Sequence, residues 1–360
     1  MPAPRPPLRR RIIPAVGLLL LAPVCAEYLI GYLDLMGRPL ELLTGLLYLA
    51  PLYGTVAVLI REAARRTGRG WPTILLLGAA FGLIQAGLVD QSLFNPRFID
   101  EPFWDEERLP TLLTGPGISV GHALGFITGH VIWSYAAPIA VVESCAPRLA
   151  DRPWLGRIGL GVVTALYALA VLVFFHEHTK AFMATPAQLG TTAVLALALI
   201  VAAFTIPRGR IPRGRARRPG RVPPPWLVGV TGVLLLTTHH LLPAHWTGTA
   251  LKALTLVVFG GLLLRWSRLA GWGRAHVLAA GGSALVANAA LSFVVDPIGE
   301  VSYPVKYAAN TAILLIVLIL LAWARRQSAN RSATARRPAS PRPKDDTGSA
   351  KPKDSKVSSW

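Results

Sequence analysis

Residues 117–134 read GISVGHALGFITGHVIWS, and this stretch decides the fold. Glycines recur every fourth residue, at Gly117, Gly121, Gly125 and Gly129. On a helix they form a ridge without side chains, against which a second helix can pack closely. One step round runs a second ridge, His122, Phe126, His130 and Ser134. The surrounding run is apolar and long enough to cross a bilayer, where ionisable side chains are costly. Two histidines beside a small-residue seam are therefore the best lead to function.

Composition agrees with a membrane setting. Of 360 residues, 52% are hydrophobic and only 15% charged, against roughly 25% charged in a soluble domain. The net charge of +19 does not point to nucleic acid, because the basic residues sit in short loops between apolar runs and in the tail. That is the positive-inside pattern. Cys25 and Cys145 lie in or at the end of apolar runs, and neither implies a disulfide. No Cys/His zinc spacing exists, and no cofactor is indicated.

Apolar runs at 12–33, 40–60, 72–94, 118–144, 158–175, 188–206, 226–243, 249–264, 276–295 and 306–324 predict an all-α, polytopic membrane helix bundle of about ten transmembrane helices. Val24-Cys25-Ala26 is a passable signal-peptidase site, but the run continues past it, so the segment reads as a span. The chain divides into a basic N-terminus (1–11), five spans (12–206), an Arg/Pro-rich linker (207–225), five spans (226–324) and a disordered basic tail (325–360). With the N-terminus inside, 31 basic residues fall on the inner side and six on the outer. That split places both termini in the cytoplasm of a cell whose plasma membrane holds the protein. The Arg-rich inner loops offer contacts to anionic lipid headgroups. The acidic outer loop 95–116 carries Phe98, Phe103 and Trp104, which suggests that it folds back on the membrane surface, either as a solvated acidic loop or as a lid over an outward-facing cavity.

Polar groups at membrane depth concentrate in the first half. Glu27 lies roughly 9 Å below the outer end of its span, and His130 roughly 18 Å below that of the fourth. In the third span Gly78, Gly82, Ala86 and Asp90 form another small-residue ridge ending in a carboxylate, with Gln85 on a neighbouring face. Glu27, Gln85, Asp90, His122 and His130 make the candidate polar site. Carboxylates beside imidazoles suit a proton relay or a divalent metal site. His122 and His130 are eight apart, about 80° round the helix, so the spacing alone assigns no metal. Pro14, Pro23, Pro51 and Pro138 predict kinks or local unwinding. Glu143, near the inner end of its span, reads as reaching the interface or Arg148.

The stretches PVCAEYLIGY, APLYGTVAVLIREAARRTGRGWPTILLL, FGLIQAGLVDQSLFNP and GHVIWSYAAPIAVVE resemble uncharacterised multi-span membrane proteins of high-GC actinobacteria. The resemblance implies architecture and source, and no activity. Phe126-Ile127-Thr128-Gly129-His130 is also similar to one motif of the intramembrane CAAX-processing proteases. That likeness would make Glu27 and His130 catalytic. The rest of the pattern departs: Glu27 follows Ala26, no Arg succeeds it, and no later histidine has Asn or Asp four residues on. Three functions follow as expectations: transport or solute handling at a site between the first, third and fourth spans, Glu/His-dependent hydrolysis, or a non-catalytic scaffold that assembles through its glycine ridges.

Overall fold

The computed structural model describes residues 7–206 and 218–336. Among them run ten helices of 17 residues or more and one short one. In chain order these are α1 (Leu8–Tyr28), α2 (Leu40–Arg66), α3 (Trp71–Val89), the short α4 (Pro102–Arg108), α5 (Val120–Cys145), α6 (Arg157–Thr179), α7 (Pro186–Thr205), α8 (Pro225–Leu241), α9 (Trp246–Ser267), α10 (Arg274–Leu291) and α11 (Tyr303–Arg336). The strand pair is a two-residue hairpin, β1 (Leu112–Leu113) against β2 (Ile118–Ser119).

Eight helices are long and apolar enough to cross a membrane, namely α1 to α3, α5 to α7, α9 and α11. The other two, α8 and α10, have 17 and 18 residues and pack along one another. Helix α10 is rich in Ala and Gly and sinks Leu278, Ala284, Leu285, Ala287 and Leu291 among its neighbours. A helix sheathed by protein needs less apolar surface than one facing lipid. Two boundaries differ from expectation. Helix α1 already begins at Leu8, so the N-terminal arginines 9–11 belong to it. Helix α11 runs through Arg325 to Arg336, because residues 325–336 contain good helix formers and no proline. The expected disordered tail beyond 336, and linker residues 207–217, lie outside the described residues.

Helix α5 holds the bundle together by packing two cores at once. Tyr135, Ile139 and Val142 enter a core with α1, α2, α3 and α7. Trp133, Ala137 and Val141 enter a second core with α8 to α11. The spacings i, i+4 and i+7 or i+8 put each set on one face.

The expected glycine seam on α5 does not form as a whole. No residue of Val120–Gly129 is fully buried. A Cβ on Gly125 or Gly129 would meet nothing within 4 Å. Gly117 precedes the helix, in a hairpin turn at φ +70°, and its N–H donates to the Leu113 carbonyl at 2.9 Å. Gly121 approaches the Thr111 and Thr249 hydroxyls. The close seam is built from the other side, by Gly78 and Gly82 of α3 lying on α5 at Ile127, His130 and Val131.

At the Arg-rich end a buried ionic network ties α2 to α5. Glu143 accepts from Arg65 at 2.8 and 2.7 Å, one bond to each oxygen, and from Arg61 Nε at 3.1 Å. Glu143 therefore does not serve Arg148, because α2 brings two guanidinium groups nearer. Arg61 and Glu62 are fully buried and paired at 2.8 Å. The Arg61 guanidinium also stacks 3.6 Å from the Trp154 ring centroid and donates to the carbonyls of Leu149 and Ala150. Removing one partner of such a network strands a charge at a cost of about 3–5 kcal/mol. Glu143→Ala should therefore lower the melting temperature in detergent far more than Glu177→Ala, which breaks an exposed Glu177–Lys180 pair. Equal losses would refute the network's role.

Candidate functional site

Four spans leave regular α-geometry for a π-helical turn: Val24–Tyr28 in α1, Ala50–Gly54 in α2, Gln85–Val89 in α3 and His130–Ala136 in α5. Such turns are rare and frequent at functional sites. Proline accounts for three of them. Pro23 immediately precedes the first, Pro51 lies inside the second and Pro138 follows the fourth. Each proline ring clashes with the carbonyl four residues back, and a wider turn relieves the clash. Pro14 produces no such break. Pro23 turns the Leu19 carbonyl out of its helix, and Gly54 packs directly onto it, where a Cβ would collide with the oxygen.

These turns carry the polar groups. The Glu27 carboxylate accepts a hydrogen bond from the Tyr32 hydroxyl, and the Tyr53 hydroxyl lies within hydrogen-bonding reach of it. The Tyr53 ring stacks on His130 with centroids 5.9 Å apart, and the Tyr135 ring centroid lies 6.1 Å from that of His130. Gln85 donates to Asp90 Oδ2 at 3.0 Å, and the Ser92 N–H donates to Asp90 Oδ1 at 2.9 Å. Tyr53 of α2 thus lies between Glu27 of α1 and His130 of α5, while Gln85 and Asp90 at the end of α3 bond one another.

His130 is set in one tautomer. Its Nδ1 lies 2.7 Å from the Phe126 carbonyl, which can only accept, so Nδ1 carries the proton. In the neutral ring Nε2 is then a bare acceptor, and it is buried without a partner.

The site lies at depth in the longer helices. Tyr53 is about 20 Å from the first residue of α2, and His130 about 15 Å from that of α5. Helices α1 and α3 stop at this level, at Tyr28 and Val89. Beyond α3 the chain continues as non-helical backbone with Gln91 to Asn95 all buried. Gln91 takes a left-handed conformation at φ 57°, and its side chain accepts from the Ala184 N–H at 2.6 Å. Irregular backbone at such depth survives only when protein covers it or it lines a cavity.

His122 stands apart from this group. It packs under α4, 4.4 Å from the Trp104 ring and 3.9 Å from Glu107 Oε2. Trp104 is buried and Phe98 lies against it, so the loop 95–116 folds onto the end of α5. Sequence reading missed Tyr32, Tyr53 and Tyr135. The proline beside Tyr53 was the available signal, since a broken turn exposes backbone that polar side chains can serve. In the second half, His239 and His240 flank Trp133, and Asn288 bonds His240.

Among the described residues no group of three His, Cys, Asp or Glu side chains could hold a metal ion. Nor does any Lys or Arg among them form an ion pair with Glu27 or Asp90.

The fold and its depth-placed polar groups define an integral membrane protein with many apolar helices. Residues 17–211 match the model of an uncharacterized membrane protein family, and the chain belongs to that family. The match spans more than half of the chain and contains every residue of the cluster. No curated protein and no solved structure matches the chain.

The seam that positions His130 gives a test. A Cβ on Gly82 would come within 3.1 Å of His130 Cβ and 3.4 Å of the Ile127 carbonyl. Gly82→Leu should cost about 1–3 kcal/mol of stability. Gly125→Ala meets open space and should be neutral or stabilising by up to about 1 kcal/mol. Thermal melts of both variants in detergent check this, and a destabilised Gly125→Ala would show that the uncovered face is packed after all.

Proposed function

We propose that the protein handles a small polar solute, as a permease or solute-binding membrane protein, at the site between α1, α2, α3 and α5. One observation carries the reading: Tyr53 of α2 links Glu27 of α1 to His130 of α5 at a depth where α1 and α3 end. Interrupted helices around a mid-membrane polar site are a recurring transporter design. Helices of fixed apolar faces and no task at depth would have no use for these groups, each of which costs stability. The arginine distribution supports a plasma-membrane setting with both termini cytoplasmic and Arg-rich loops against anionic lipid. A panel of solutes should include one that raises the melting temperature of the purified protein, and a deletion strain should lose uptake of that solute. An unresponsive protein with unchanged uptake would sink the reading.

A hydrolase reading draws on the bare His130 Nε2, which could take a proton from water, and on Glu27, linked to the same ring through Tyr53. Against it, the Tyr32 hydroxyl already donates to Glu27 and occupies one of its oxygens. Loss of a hydrolytic activity in both Glu27→Gln and His130→Ala, with folding retained, would favour hydrolysis over solute handling. Activity unaffected by either change would exclude it.

A further inference from the structure

A second cavity lies in the part of the chain that the family model does not match. Helices α8 and α11 both pack on α10 but scarcely meet one another. Between them, with α10 as its floor, runs a groove of about 920 Å³. Ligand pockets commonly measure roughly 300–1,000 Å³. Small side chains leave the space open: a Cβ on Gly229 of α8 would still lie 3.9 Å from the Ala279 methyl of α10. The groove reaches from Arg274 to Val286 of α10, about 18 Å at the helical rise. One leaflet's hydrocarbon is about 15 Å deep.

The two ends of the groove differ in chemistry. The deep end is lined by Val233, Leu278, Val286 and Leu321. The Ser283 hydroxyl beside them donates to the Ala280 carbonyl at 2.7 Å, so that end favours hydrocarbon over a polar occupant. The mouth lies at the Arg-rich end, where Arg274 pairs with Asp151 of the loop that also holds Arg61. Arg325 of α11 lines the mouth too, and no carboxylate among the described residues pairs with it. Helices α8 and α10 both begin there, at Pro225 and Arg274, so each turns its partly positive pole to it. Trp226, exposed at the start of α8, belongs to the residue type that sits at headgroup level. His276 is committed to structure. Its Nδ1 accepts from the Gly273 N–H at 3.0 Å and its Nε2 donates to the Pro223 carbonyl at 3.1 Å, which fixes the chain before both helices.

We infer that this groove holds one anionic glycerophospholipid, with an acyl chain laid along α10 and the phosphate at Arg325, Arg274 and the two helix starts. A hydrocarbon trough about one leaflet deep beneath a cationic mouth matches such a lipid in length, polarity and sign of charge. A neutral lipid would leave Arg325 and the helix poles without a counter-charge. A free phosphate would use the mouth alone and leave the trough unfilled. The site is separate from the solute site, with which it shares no residue. It also differs from a general attraction of Arg-rich loops to the membrane, because it depends on one arginine of α11 and not on its neighbour.

Native mass spectrometry tests this on the full-length protein in detergent, titrated with phosphatidylglycerol or with phosphatidylcholine of the same acyl chains. The expected result is saturation at about one phosphatidylglycerol per chain, with phosphatidylcholine held about fivefold more weakly. Arg325→Gln should weaken phosphatidylglycerol about fivefold. Arg326→Gln removes the same charge from an exposed residue outside the groove and should change little. Ala322→Leu, at an exposed position on the groove wall, should block retention of either lipid. Equal weakening by the two arginine variants would reduce the effect to surface charge and overturn the inference. Equal retention of the two lipids overturns it as well, and so does full competition by glycerol phosphate, which lacks the acyl chains. A dimer that Ala322→Leu disperses, with no lipid retained by the wild type, would give the groove to a second copy of the chain and overturn it too. Should Ala322→Leu fail to fold, the arginine pair decides, since both side chains are exposed.

Discussion

Glu143 is gripped by Arg61 and Arg65, and this buried contact sets the geometry of the first half of the chain. A buried carboxylate is costly without partners, and α2 is the element that supplies them to Glu143. Glu62, Trp154 and the carbonyls of Leu149 and Ala150 complete the environment of Arg61, so the loop after α5 is fastened to α2 as well. With α2 and α5 pinned at the Arg-rich end, their middle turns are held side by side. That is where Tyr53 meets His130.

The two ends of this helix pair use opposite electrostatic solutions. At the Arg-rich end Arg61, Glu62, Arg65 and Glu143 each have a counter-charge within the protein. At the level of Tyr53 and His130 the carboxylates have only hydroxyl and amide partners. A protein built for rigidity alone would balance both.

The π-helical turns connect sequence to this arrangement. Prolines in the spans break the regular ladder, and the wider turns that accommodate them re-aim the side chains beyond. In α1 and α3 the π turn is also the last turn, so the carboxylates sit at or beside helix ends. In α5 it lets Trp133 and Tyr135 serve the two different cores. The glycine at position 54, pressed on the Leu19 carbonyl, shows how tightly α1 and α2 must meet for Tyr53 to reach Glu27.

Much was legible from residues alone. Apolar runs of bilayer length determine an all-α membrane bundle, because in lipid the backbone must satisfy its own hydrogen bonds. The sequence by itself also determined that Glu27, Gln85, Asp90, His122 and His130 lie at or near membrane depth. Tertiary structure alone decided which of them meet. A π turn adds one residue to a turn and shifts everything past it by about 100° round the axis, so a ridge counted in fours does not survive it. Of the ridge His122–Phe126–His130–Ser134 only Ser134 lies past the start of the turn in α5. His122 and His130 part company because eight residues separate them by about 12 Å along the axis, so His122 ends under Trp104 while His130 reaches Tyr53. The partners Tyr32, Tyr53 and Arg61 were unreadable for the same reason, since rotation and contact between helices leave no periodic trace in any single one of them.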